Sequence, residues 1–262
     1  MRAPSPLFLS GLLVLSGAGA AEFGAHVDAW RSGLSGDVKA ESASVPATTL
    51  TFSGLGMDTS ENIPAFEVFG RFGETLRHSL SLRYWQQDYR GTTTLTQAVT
   101  FKTFTFPVST ELKSEIDFRD MDLRYGYEFW QGDERRIRRR NAAWGIFGVK
   151  VLQLDASLSS PATGTACEGS TAPLPVLGLG TRWGCGDHFS LEAQAEGLAI
   201  DVSDIRASFY DLSALGRWDF TPNLALEAGW RRWHLGAHID SSTKVDLDAT
   251  IQGPWLGVTG RF

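Results

Sequence analysis

The chain has 262 residues, 42% of them hydrophobic and 21% charged, with 24 basic against 30 acidic side chains. That length suits one large β-barrel or one or two smaller domains, and the composition is not that of a disordered chain. A mildly acidic chain is a poor candidate for nucleic-acid binding, which relies on basic surface. Beyond the amino terminus no stretch is apolar for the ~20 residues that a helical membrane span requires.

The first residues, MRAPSPLFLSGLLVLSGAGAAEF, carry Arg2, an apolar run from Leu7 to Leu15 and a small-residue stretch at Ala18-Gly19-Ala20. This is the pattern of a secretory signal peptide cut after Ala20 or Ala21. The expectation is a leader over 1–21 and one barrel domain over 22–262. The rest of the chain alternates apolar and polar residues in runs that stop at turn residues, the signature of β-strands.

In chain order, strands are expected at Phe23–Arg31, Ala65–Phe72, Leu76–Arg90, Val108–Trp130, Ala142–Leu158, Leu174–Trp183, Phe189–Ile200, Ile205–Phe220, Leu224–Leu235 and Lys244–Phe262. Tight turns fall at Gly73-Glu74-Thr75, Gly184-Cys185-Gly186-Asp187 and Thr221-Pro222-Asn223, and QGDERRIRRRN forms a longer one. The segments 32–64, 91–107, 159–173, 201–204 and 236–243 are expected to be loops on the opposite side. The count is ten strands, with eight and twelve as alternatives. Pro175 and Pro254 sit awkwardly inside strands of a closed barrel, which has no edge where a missing N–H is harmless.

The stretch MDLRYGYEFW shows the alternation well: Met121, Leu123, Tyr125, Tyr127 and Phe129 share one face, and Asp122, Arg124 and Glu128 the other. Glu192, Glu196, Arg217, Asp219, Glu227 and Arg231 take the polar side of their own strands. In a membrane barrel the apolar face meets lipid and these nine charges line the lumen. Trp130, Trp144, Trp183 and Trp218 stand at strand ends, where amphipathic rings form a girdle at headgroup depth. The fold class expected is all-β, a closed antiparallel up-and-down transmembrane β-barrel.

The leader, "RHSLSLRYW", "DLRYGYEF", "LPVLGLGTRW" and the closing "GPWLGVTGRF" resemble a family of small outer-membrane barrels of Gram-negative bacteria. The resemblance covers nearly the whole mature chain and implies an outer-membrane address, lipid around the barrel and no assigned activity. A terminal strand ending in Phe262 resembles the signal read by the barrel-assembly machinery, although Gly260 stands where that signal usually has an aromatic.

Chemistry is sparse. His188, Ser190 and Glu192 could supply base, nucleophile and orienter for a lipid hydrolase, but their phase points them to the lumen while Phe189 and Leu191 face lipid. His234 and His238, four residues apart on a strand, stand ~13 Å from each other, too far to share a metal with Asp240. No metal, phosphate-loop or dinucleotide motif appears, so no cofactor is expected. Arg135, Arg136, Arg138, Arg139 and Arg140 form a solvated turn that is a candidate contact for an anionic partner. Cys167 and Cys185 are expected to lie too far apart to bridge. The functional reading is a non-enzymatic barrel with a narrow or occluded charged lumen, serving small-solute transport. The alternative is a structural or surface-interaction barrel acting through its external loops.

Overall fold

Alternation of apolar and polar side chains along long extended segments leaves each strand with two different faces. The strands satisfy both by closing into a ring. A computed structural model describes residues 21–42, 45–57, 60–101, 104–132, 141–202, 205–240 and 243–262. Its strands are β1 (Ala21–Ser42), β2 (Val45–Thr51), β3 (Ser60–Phe72), β4 (His78–Thr94), β5 (Val99–Phe101), β6 (Phe104–Phe106) and β7 (Glu111–Gln131). They continue with β8 (Ala142–Ser160), β9 (Gly164–Cys185), β10 (Phe189–Val202), β11 (Ile205–Thr221), β12 (Leu224–Asp240) and β13 (Thr243–Arg261).

All but β5 and β6 form one antiparallel sheet, in which β2 pairs with the upper part of β1 and the other ten strands close into a ring as β13 returns to pair with β1 from Gly24↔Arg261 to Ser42↔Thr243. The result is a closed barrel of ten strands. Phe23 and Phe262 exchange backbone hydrogen bonds of 3.1 and 3.0 Å at the rim. The start of β1 and the end of β13 therefore sit at one end, together with the turns at Gly73, Gly186 and Pro222. The two longest connections, between β1 and β3 and between β4 and β7, lie at the other end. Short turns face the periplasm and long connections face outward in such barrels, which fixes the orientation.

Strands that cross a bilayer need only 9–11 residues, whereas β1 and β9 have 22 and β7 has 21. The apolar outer surface occupies only the periplasmic part of the wall: Val27, Val68, Leu82, Leu123, Phe147, Leu179, Leu212 and Leu256 are all exposed there. Higher up, the outward positions are Arg31, Gln86, Arg119, Gln153 and Arg232. The barrel thus crosses the membrane with its lower half and projects with its upper half.

Several segments expected as loops are part of this projecting wall. Much of 32–64 continues β1 and forms β2, most of 159–173 is the start of β9, and 236–240 completes β12. Serine-, threonine- and glycine-rich composition hid them, because above the membrane the outward face has no need of apolar side chains. Segment 91–107 is the excursion expected, apart from Gly91–Thr94, which extends β4. Its β5–β6 hairpin forms a separate two-stranded sheet, and Val99 and Phe106 are buried in the barrel's core.

The prolines have local explanations. Pro254 falls where the β1–β13 ladder skips from Trp30↔Trp255 to Gly33↔Gln252, and the indole of Trp30 donates to the freed Gly253 carbonyl at 3.1 Å. Pro175 lies just beyond the last β9–β10 pair, Gly197↔Leu177. Residues 164–176 of β9 therefore form an edge on that side, the setting proline tolerates. Pro64 similarly follows the last β3–β4 pair, Ala65↔Trp85, and the chain itself occupies that gap through a bridge between Met57 and Gly91. Gly91 is required there, since a Cβ on it would stand 2.5 Å from the Gly56 carbonyl carbon.

Of the expected leader, 1–21, residues 1–20 lie outside the described residues, and Ala21 is the first residue of β1. Cys167 and Cys185 are both exposed, unbridged and near opposite ends of β9, roughly 60 Å apart at ~3.3 Å per residue. In intact Gram-negative cells a membrane-impermeant maleimide is expected to label Cys167 and spare Cys185. Labelling of Cys185 alone would invert the orientation.

Candidate functional site

The inward positions divide the lumen into two storeys. The outer storey is apolar. Trp30 on β1, Trp85 on β4 and Trp233 on β12 are fully buried and meet edge to face, with ring centroids 5.9 Å (Trp30–Trp85) and 5.8 Å (Trp85–Trp233) apart. Phe118 on β7 and Phe209 on β11 extend the array at 5.8 and 5.9 Å from Trp233, and Tyr89 continues it. Edge-to-face geometry aligns the positive ring edge with the negative face of its neighbour. Above this layer Phe52, Leu55, Met57, Leu95, Val99 and Phe106 fold in from the outer connections. The indole nitrogens of Trp85 and Trp233 have no acceptor.

The periplasmic storey is ionic. Directly beneath the aromatic layer, Lys150 is wholly buried and donates to Asp120 at 2.8 and 2.9 Å and to Asp122 at 2.6 Å. Its ammonium lies 4.8 Å from the Phe209 ring centroid. Arg231 forks onto Asp211 and stacks 5.0 Å from the Trp30 ring. Cations thus cap the underside of the rings, where a quadrupole attracts them.

Below, the pairs run into one another around the wall. Arg83 reaches Asp28 at 2.7 Å, Arg124 joins Glu196 at 2.8 Å and Glu67 at 3.4 Å, and Arg217 spans Glu192 at 2.8 Å and Glu227 at 2.7 Å. Arg182 holds Glu192 at 2.8 Å, Arg71 pairs with Glu128, and Arg261 reaches Asp219 at 3.3 Å. His26 bridges Asp28 and the Thr259 hydroxyl at 3.0 and 2.9 Å, and Thr259 donates to Glu227 at 2.6 Å. The network lines a partly open cavity of about 230 Å³.

All nine charges expected at the lumen stand in this storey: Asp122, Arg124, Glu128, Glu192, Glu196, Arg217, Asp219, Glu227 and Arg231. The sequence reading missed Asp28, His26, Asp120, Lys150 and Asp211, and it missed the aromatic layer. Asp120 is in phase with Asp122, and "HVDAW" sets His26, Asp28 and Trp30 on one face, so the signal was present in both. Lys150, inside the apolar run "GVKVL", gave none beyond parity.

Of the four tryptophans expected in a girdle, Trp130, Trp183 and Trp218 are outward and about half exposed. Trp144 is not. It pairs with inward Glu128, its ring lies 5.5 Å from the Arg182 guanidinium, and it lines the cavity. The cause is parity: on β8 the outward positions are odd (Phe147, Val149), and nearness to the strand end does not override the pleat. A register shift between Glu128 and Trp130 separates the two tryptophans that flank the same turn.

The hydrolase triad does not assemble. His188 stacks on Trp218 and contacts the Asp219 carbonyl, Ser190 is buried without a hydrogen-bond partner, and Glu192 is held by two arginines. His234 and His238 have separate partners, Thr250 and Asp246. Among the described residues no group of three metal-type ligands exists. Arg135, Arg136, Arg138, Arg139 and Arg140 lie outside the described residues.

Removing one partner of a buried ion cluster strands the others. Lys150→Met is therefore expected to lower unfolding free energy by about 3–5 kcal/mol, measured by denaturant titration of the vesicle-folded barrel. Adding Asp120→Asn and Asp122→Asn is expected to restore most of the loss. Equal stability of Lys150→Met and wild type would contradict the cluster.

No family model and no curated protein matches the chain. Among solved structures, the outer membrane protease OmpT from Escherichia coli superposes with a TM-score of 0.51 and 11% identity, covering 92% of this chain and 97% of that one. The transport unit of the autotransporter AIDA-I from Escherichia coli gives 0.41 and 10%, covering 97% and 94%. Neisserial surface protein A gives 0.32 and 14%, covering 92% and 97%. Identities this low speak to architecture alone. Ring closure, strand number, the outward apolar band and the likeness to OmpT agree: the chain has the fold of the bacterial outer-membrane β-barrels.

Proposed function

We propose that the protein is a non-enzymatic, non-conducting outer-membrane barrel that works through its projecting outer wall. One observation carries the reading: a layer of five interlocked aromatic rings, Trp30, Trp85, Trp233, Phe118 and Phe209, spans the lumen. Small barrels are filled by side chains while much larger ones leave a water channel; this ten-strand barrel is filled in its outer half. The lower charges are matched to one another, an arrangement that stabilises a filled interior. Where the sequence suggested external loops as the interacting surface, rigid strand provides it.

The small-solute reading draws on the 230 Å³ ionic cavity, which would serve a solute path only if the aromatic layer moved. Planar-bilayer recording separates the two. The wild-type barrel is expected to show no steady conductance, and a Trp85→Ala/Trp233→Ala variant is expected to show discrete openings. Large steady pores from wild type would overturn the occluded reading.

A further inference from the structure

On the outer wall, the apolar band ends at Ala29 on β1, Trp230 on β12 and Pro254 on β13. The next outward positions are Arg31, Arg232 and Gln252. Arg31 and Arg232 each stand eight residues along their strands from the outward residue nearest the periplasmic rim, Phe23 and Leu224, so they share one height. They flank β13, about two strand spacings or roughly 10 Å apart across the wall. Asn62, which pairs with Arg31 on β3, and Gln252, which pairs with Arg232, add polar groups beside them.

Their charge is uncompensated. Elsewhere on the projecting wall arginines have carboxylate partners: Arg119 binds Asp117 at 2.7 Å and Arg90 binds Glu115 at 2.9 Å. Among the described residues no carboxylate forms an ion pair with Arg31 or Arg232, and both are exposed. Arg232 lies 5.9 Å from the Tyr210 ring centroid, a contact that orients the guanidinium without neutralising it. The next acid up β13 is Asp248, beyond Thr250. In an acidic chain with a closely paired lumen, two unpaired guanidinium groups side by side at the upper edge of the lipid band call for an external counter-charge.

We infer that Arg31 and Arg232, with Gln252 between them, form a binding site for a phosphate-bearing headgroup of an outer-leaflet lipid. The chemistry matches in depth and in kind. Acyl chains would run down Val27, Ala29, Trp230, Leu256 and Val258, which brings the headgroup phosphates level with the two guanidinium forks. Those forks suit phosphate oxygens through paired charge-assisted hydrogen bonds. Because the wall is hydrogen-bonded strand, both side chains spring from a fixed backbone, which favours a two-phosphate headgroup that engages both. The site deepens the reading of the projecting wall as an interaction surface, and its test measures lipid retention, which is separate from conductance.

The experiment is native mass spectrometry of the full folded barrel in detergent, titrated with diphosphoryl lipid A. Wild type is expected to retain bound lipid, and Arg31→Gln/Arg232→Gln to retain at least about tenfold less, as loss of two charge-assisted contacts implies. Arg119→Gln, whose arginine is already paired, is expected to behave as wild type. Dephosphorylated lipid A is expected to bind wild type as weakly as the double variant binds the phosphorylated lipid. Excess inorganic phosphate is expected to leave the complex intact. Undiminished retention by the double variant, with its heat-modifiable gel mobility intact, would refute the site. Equal binding of the dephosphorylated lipid would refute the phosphate contact, and displacement by inorganic phosphate would refute the lipid assignment.

Discussion

Inside a bilayer no water is available to satisfy backbone N–H and C=O groups, and each one left bare costs several kcal/mol. Ring closure through β1 and β13 answers that constraint, and the rest of the structure follows from it. The even strand number, the meeting of the start of β1 with the end of β13 at one rim and the alternation of faces all serve the closed ladder. Departures from it are few and local. At Pro254 the side chain of Trp30 takes up the orphaned carbonyl; at Pro64 and Pro175 the ladder ends at or above the top of the apolar band, where water can substitute for a missing partner.

Closure also turns the usual arrangement of a protein core inside out, but only for part of the height. Next to lipid, the apolar side chains are outside, so the interior takes the charges, and low dielectric forces them to be matched: Lys150 against Asp120 and Asp122, Arg231 against Asp211, Arg217 against Glu192 and Glu227. Above the membrane both surroundings change. Water wets the outer wall, and the interior reverts to a hydrophobic core around Trp30, Trp85 and Trp233. The aromatic layer marks the transition, and cations at its lower surface join the two regimes.

How much of this the sequence disclosed depended on which face lipid touches. Within the membrane band, period two is enforced by solvent on one side and lipid on the other, so the ten strands and the nine lumenal charges could be read from parity. Above it the outward face is polar or small whatever the fold, and β2, the upper half of β1 and the first half of β9 looked like loops. Trp144 was misplaced because its distance from the turn outweighed its parity. The aromatic layer was invisible for a different reason: its members come from β1, β4, β7, β11 and β12, and only three-dimensional closure brings them together.

A surface made of strand rather than loop constrains how such a protein can change over time. An inserted or deleted residue in the upper reach of β1 or β9 would reverse every side chain beyond it and tear the register with β13 and β2 in the first case and with β8 in the second. Diversity facing the outside world must therefore accumulate by exchanging one side chain for another on an unchanging lattice. Length variation is confined to the few tips where the ladder has already ended.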